Sequence, residues 1–285
     1  MRGVTIAAGV VGVCAAVCAG QSLPLERIGF WDVEHQRASD NGAVSSLIVA
    51  VNGPRAIGVS SRYYGFGLDG GRSAWVWGAG AGTQRLGLWS AEHVRDDTYQ
   101  SSVPLAVSGT GVAIGYSERY SGHALLGYDA WVWRSGVGNV NVSMVDALHT
   151  GGSGYRDSTT RFVNDAGDVV GTSKQYAGGF TQVGQTAWVV RSGGGREILG
   201  MSDAAHTTTG GARSASVSGM NAAGMVLGSS TRFDGAGGSL GASVWVQWAG
   251  SGPAVVGLYD AAHTNHLGVT TNTAVGMSEA GGGVG

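Results

Sequence analysis

The chain repeats itself at a period of about 57 residues. Histidines stand at His35, His93, His149, His206 and His263, in steps of 58, 56, 57 and 57. A tryptophan-centred apolar run recurs with them, as Ala74–Trp77, Ala130–Trp133, Ala187–Val190 and Val244–Gln247. A fixed period of this size marks an array of supersecondary units, none of which can bury its own apolar face alone.

Each unit reads as short strands. After His93, Val103–Val107 and Val112–Tyr116 flank Ser108-Gly-Thr-Gly111, and two β-rich runs around a glycine-bearing turn make a hairpin. The turn returns as Asn164-Asp-Ala-Gly167, Asn221-Ala-Ala-Gly224 and Ser278-Glu-Ala-Gly281, while the first repeat departs with Asn52-Gly-Pro-Arg55. A second glycine follows inside the next strand, at Gly58, Gly115, Gly171, Gly228 and Gly285, where glycine marks a bulge or a close neighbour. Trp131 and Trp133 share one strand face and Val132 takes the other, so both faces need cover. Fourth strands are expected at Leu86–Trp89, Val142–Val145, Ile198–Met201 and Val255–Tyr259.

Four short strands per unit, apolar on both faces, predict an all-β protein built of β-propeller blades. The alternatives are a β-solenoid or an open arc of blades; tandem β-sandwiches fit less well, because the repeat is short for an independent sandwich. A lone fourth strand expected at Ile28–Trp31 precedes four full units, and a fifth unit stops at Gly285. That count predicts a fragment of a longer protein or an incomplete ring.

Residues 1–19 read as a secretory signal: basic Arg2, an apolar Val4–Val17 run, and a small-residue cleavage site at Val17-Cys18-Ala19. The apolar run is shorter than the roughly 20 residues that span a bilayer. Residues 20–285 then form a single repeat domain. Both cysteines, Cys14 and Cys18, fall in the leader, so the mature chain has no thiol for a disulfide, a nucleophile or a metal. A net charge of −2 with a single lysine, Lys174, excludes an electrostatic case for nucleic acid. Nine tryptophans supply enough apolar surface for a core despite 53 glycines.

These residues resemble the extracellular repeats of the HAF family. Ser73-Ala-Trp-Val-Trp77 and Asp129-Ala-Trp-Val-Trp133 look like that family's first element, Leu86-Gly87 and Leu199-Gly200 its second, and Val163-Asn-Asp-Ala-Gly-Asp-Val-Val-Gly171 its third. The Asp-Ala-x-His variant is similar to long exported repeat proteins of planctomycete-type bacteria, many of which end in a PEP-CTERM sorting tail. The resemblance covers about Ile28 to Gly285 and implies secretion to the cell surface, with membrane attachment only through a C-terminal anchor absent from this sequence. It implies no established activity.

Two recurrent pairs are candidate sites. Asp32/His35, Asp146/His149, Asp203/His206 and Asp260/His263 repeat an Asp-x-x-His motif, which Ser90/His93 breaks. Two ligands per repeat fall short of the three a metal site needs, so a loop staple, with the carboxylate accepting from imidazole or turn amides, is expected instead. Arg62-Tyr63, Arg119-Tyr120 and Arg232-Phe233, with Gln175-Tyr176 between them, recur after the second strand. They could contact a ligand such as a sugar face, but recurrence in every unit favours guanidinium packed on its neighbouring ring. Gly237-Gly-Ser239-Leu-Gly241 matches a nucleophile motif without the strand–turn–helix that would give it meaning. No catalytic residue, cofactor or metal is expected. The function read from the sequence is a secreted, non-enzymatic surface scaffold or adhesive module contacting extracellular polysaccharide or other surface proteins. The alternative is a polysaccharide hydrolase or lyase on a β-propeller, which needs carboxylates that break the repeat at one place; Glu34, Glu92, Glu118, Glu197 and Glu279 do not converge by sequence.

Overall fold

A computed structural model describes residues 26–65, 67–274, 276–278 and 283–284. The leader expected at 1–19, together with Glu279, Gly281 and Gly285, lies outside the described residues. The protein is all-β, a row of four-stranded blades of the propeller kind. Blade 1 is β1 (Ser46–Asn52), β2 (Arg55–Tyr64), β3 (Leu68–Gly78) and β4 (Gly82–Leu86). Blade 2 is β5 (Gln100–Val107), β6 (Ala113–Ser121), β7 (Ala124–Arg134) and β8 (Gly138–Asn141). Blade 3 is β9 (Arg156–Val163), β10 (Val169–Tyr176), β11 (Gln182–Val190) and β12 (Arg196–Leu199). Blade 4 is β13 (Ala215–Met220), β14 (Val226–Phe233), β15 (Ser239–Gln247) and β16 (Ala254–Val256). The short β17 (Thr270–Thr271), β18 (Gly276–Met277) and β19 (Gly283–Val284) follow.

Within a blade each strand pairs antiparallel with the next. Between blades the start of one blade's third strand pairs parallel with the start of the next blade's first: Gly71 with Gln100, Gly127 with Arg156, and Gly241 with Thr270. These glycines have positive φ, and a Cβ on Gly127 would stand 1.7 Å from the Arg156 carbonyl oxygen. Only glycine admits that approach.

The second-strand glycines are explained by the tryptophans. A Cβ on Gly115 would lie 2.2 Å from the Val103 oxygen and 2.4 Å from the Trp131 ring; Gly58, Gly171 and Gly228 face Trp75, Trp188 and Trp245 in the same way. The indole lies flat across the neighbouring strand, and a bulge in the first strand adjoins it in blade 2, between Pro104 and Ala106. The rings fill successive layers. Trp131 and Trp133 pack with Ile57, Val76 and Leu86 of blade 1, while Val132 and Ile114 pack with Trp188 of blade 3. Trp245 packs with Val170 and Val189. Blades 2 and 3 thus have both faces buried by neighbouring blades, whereas blade 1, with no blade before it among the described residues, leaves Leu47, Val49 and Val51 exposed.

Two strand expectations are corrected. The fourth strands lie earlier than expected: three end at Leu86, Leu199 and Val256, and in blade 2 the expected Val142–Val145 is not a strand, β8 ending before it at Asn141. In three blades the next residue is a positive-φ glycine, Gly87, Gly200 or Gly257, which turns the chain out of the ladder. Ile28–Trp31 is not a strand. It is the first repeat's copy of the segment after that glycine: the Phe30 amide donates to Ser60 Oγ, as Leu88 does to Ser117 and Met201 to Ser230.

Candidate functional site

Strand direction places the fourth-to-first connections and the second-to-third hairpins on one rim of the row. The Asp-x-x-His motifs form single 3₁₀ turns there: Val33–His35, Ala147–His149, Ala204–His206 and Ala261–His263. Each aspartate is the N-cap. Asp146 Oδ1 accepts from the Leu148 and His149 amides and sits 2.7 Å from His149 Nδ1. The ring's far nitrogen reaches a hydroxyl on the third strand: Ser73 for His35 (2.9 Å), Thr186 for His149 (2.7 Å) and Ser243 for His206 (2.8 Å). A carboxylate can only accept, so Nδ1 carries the proton and Nε2 accepts the hydroxyl. His35, His149 and His206 are buried; His263 is half-exposed. Burial alone would push the carboxyls of Asp32, Asp146 and Asp203 up, but the imidazole bond and charge, helped by the turn amides, hold them below the usual range.

Blade 2 transposes this charge. Ser90 stands where the other turns have aspartate, and its hydroxyl is 2.7 Å from His93 Nδ1. The carboxylate has moved to the third strand: fully buried Asp129 stands where the others have Ser73, Thr186 and Ser243, with Oδ2 3.3 Å from His93 Nε2. The approach is close but not a hydrogen bond: His93 Nε2 has no partner in hydrogen-bonding geometry among the described residues. Glu92, His93 and Asp129 place ligand atoms within 4.8 Å of one another. Guanidiniums occupy that space. Arg119 lies 3.2 Å from Asp129 and 2.9 Å from Glu92; Arg156 lies 2.9 Å and 3.4 Å from the same two. Two carboxylates are matched by two arginines, so the set is neutral and does not fit a dication. Burial raises the Asp129 carboxyl, but His93, Arg156 and Arg119 outweigh it and keep it ionised.

The arginine–aromatic pairs do not stack as pairs. Arg62 turns to Glu34 and Gln100, Arg119 to Glu92 and the Gly154 carbonyl, and Arg232 to Thr270 and the Gly268 carbonyl. Each guanidinium bonds to the junction with the following blade. Successive residues of a strand point to opposite faces, and Tyr120 joins a different group.

That group is a cleft of about 540 Å³ between blades 1 and 2 on the same rim. Its aromatic wall is Tyr64, Tyr99 and Tyr120, and exposed Leu68 and Leu125 form its apolar lip. Glu118 and Asp69 contribute carboxylates. Arg95 is held by Asp97, which keeps that carboxyl well below its usual range. Tyr99 and Tyr120 meet edge to face at 5.9 Å, and the Tyr120 hydroxyl donates to Glu118. Tyr128 lies directly across the ladder from Glu118 and meets Tyr116 edge to face at 5.3 Å. Burial first, then the charge of Glu118, raises the hydroxyl pKa of Tyr99, Tyr116, Tyr120 and Tyr128. The sequence singles out Tyr120 only as half of a recurrent pair and does not point to the rest. The available signal was departure from the repeat: the positions of Glu118, Tyr116 and Tyr128 hold Ser61, Val59 and Arg72 in blade 1 and Thr231, Ser229 and Ala242 in blade 4.

No protein-family model and no curated protein matches this chain. Two solved structures are loosely similar. One is a complex of BT0996 and RGII, at 8% identity and a TM-score of 0.29 over 77% of this chain and 76% of that one. The other is the β-propeller domain of the Trilobed protease from Pyrococcus furiosus, with an open velcro topology, at 6% identity and a TM-score of 0.26 over 74% and 70%. The blade architecture itself rests on the strand order and registers given above.

Proposed function

We propose that this is an exported, HAF-type repeat protein that binds extracellular polysaccharide at the cell surface without turning it over. The observation that carries this reading is the tyrosine-walled cleft between blades 1 and 2. Aromatic faces stack on the apolar faces of sugars, while carboxylates and phenolic hydroxyls placed among them bond the ring hydroxyls. The volume of about 540 Å³ lies in the range of small-ligand sites and is open enough for a polymer to lie across it. The leader at residues 1–19 supports export, which would present the cleft to glycans.

In support of binding without turnover, the titratable groups outside the cleft are committed to the fold, and within it Glu118 accepts from the Tyr120 hydroxyl and Asp69 from the Gly71 amide. His35, His149 and His206 have both ring nitrogens engaged within the fold. The Glu92–Asp129 pair is saturated by Arg119 and Arg156. Ser90, though bonded to His93, lines neither the main cleft nor the smaller one at Glu34, Tyr63 and Tyr64. The test is a glycan array run in parallel with a reducing-end and unsaturated-product assay on the full chain. Retention on one or more glycans with no product is expected. Product release from any glycan establishes the hydrolase or lyase reading in its place.

A further inference from the structure

We infer that the cleft selects a glycan bearing free amino groups, a glucosamine-type polymer, with the ammonium seated at Glu118 among the tyrosines. This rests on the glycan-binding reading and adds the chemical class of the ligand.

The first argument is geometric. Glu118 lies on the face of β6 that carries Tyr116 and Tyr120, with Tyr128 opposite it on β7 and Tyr99 against Tyr120. Tyr64, Tyr99 and Tyr120 line the cleft with Glu118, while Tyr116 and Tyr128 lie outside that lining. A carboxylate among tyrosines attracts an organic ammonium by charge, with the phenol oxygens as further acceptors. A neutral hexose gains nothing from the carboxylate beyond a hydrogen bond, and a uronate is repelled by it.

The second argument is the charge of the surroundings. Asp69 shares the lining with Glu118. Asp97 neutralises Arg95 at the wall, and Asp96 lies beside the hairpin tip at Gly122. Arg72 stands near Tyr99 and Tyr116. Four carboxylates against the guanidiniums of Arg72 and Arg95, with His123 also in the lining, leave the cleft negative while that imidazole is neutral. Fields of that sign concentrate cations and disfavour polyuronates.

The third argument is that the cage is peculiar to one blade. Residues that serve the architecture recur: Gly58, Gly115, Gly171 and Gly228, for instance, or the buried tryptophans. Glu118 does not recur. Its counterpart in blade 3 is Lys174, of opposite charge and bonded to Asp157. A side chain that the fold does not need in three of four blades is free to serve a ligand in the fourth.

The test is calorimetric titration of the full chain with four probes: glucosamine hexamer, N-acetylglucosamine hexamer, oligogalacturonate and polylysine. The glucosamine hexamer is expected to bind at least tenfold tighter than the acetylated one at a pH where its amines are charged. Glu118→Gln, which keeps the shape and an acceptor for Tyr120, is expected to abolish that preference by weakening the glucosamine hexamer at least tenfold more than the acetylated one. An unchanged thermal midpoint shows that the variant is folded. Equal or tighter binding of the acetylated hexamer or oligogalacturonate overturns the inference while leaving the glycan reading in place, as does a preference that survives in Glu118→Gln. Polylysine binding as tightly as the glucosamine hexamer overturns it in favour of a basic-peptide site. Failure of all four probes removes the glycan reading and the inference with it.

Discussion

Ser90 and Asp129 exchange the two partners of a buried histidine, and the exchange has a measurable energetic signature. Asp129 is fully buried against Arg119, Arg156, His93 and Asn141. Replacing it by serine, the residue of blades 1 and 4, strands guanidinium charge at the blade junction. Asp129→Ser is expected to cost about 3–5 kcal/mol, the range for removing one partner of a buried pair. Ser90→Asp with Asp129→Ser restores the arrangement of the other turns and is expected to be less destabilised than Asp129→Ser alone in urea unfolding. A double variant as unstable as the single one, or more so, contradicts the transposition. The histidine turns also set the pH response. Burial depresses His35 below its ordinary 6.5, outweighing its Asp32 bond, so its neutral form is the one the fold prefers. A group whose folded pKa is depressed contributes stability that is complete above its unfolded pKa and is lost as pH falls through the folded one. The same sign holds for Asp32, Asp146 and Asp203, whose ordinary value is 3.8. The urea midpoint is therefore expected to be flat above about pH 6.5 and to decline on acidification, first from His35 and then, below about pH 4, from the carboxyls. His35→Gln should remove the first part of the decline; a midpoint that rises toward pH 5 refutes the assignment.

At the scale of elements, the sequence was legible where a residue type had a geometric job. Alternation around Trp131 gave the strand and its two buried faces, and the Asn164 and Asn221 turns formed as their spacing implied: each side-chain oxygen accepts from the amide four residues on. The close neighbour expected at the second-strand glycines is the indole of the third strand. Gly115→Ala should therefore cost about 1–3 kcal/mol or more, as overpacking against backbone and a buried ring does. Gly219→Ala, where a Cβ meets nothing within 4 Å, should be close to neutral. Comparable losses at both positions by thermal unfolding would contradict the indole-over-glycine account. The ends of the fourth strands were not legible, because apolar residues continue past Leu86 and Val256 while the glycine turns the backbone away. Glu118 and its tyrosines were not legible either. They are brought together by strand pairing and by the meeting of two blades, which local spacing does not encode, and repeat-based reasoning directs attention to positions that recur.

The whole molecule is a one-dimensional stack in which blades 2 and 3 are covered on both sides by their neighbours. Its repeated positions are absorbed by that stack: tryptophans in the layers, glycines beneath them, arginines at the junctions and histidines stapling the rim turns. What remains for function is where the repetition fails, and on the rim that failure is concentrated in blade 2 and its contact with blade 1. The most direct measurement is hydrogen exchange of the full chain with and without a saturating glucosamine hexamer. Protection confined to residues 64–69, 95–99 and 116–128 is predicted, with the hexamer recovered intact. Protection centred on the histidine turns of blades 3 and 4 instead, or recovery of cleaved hexamer, would contradict the assignment of the cleft as a binding site that performs no chemistry.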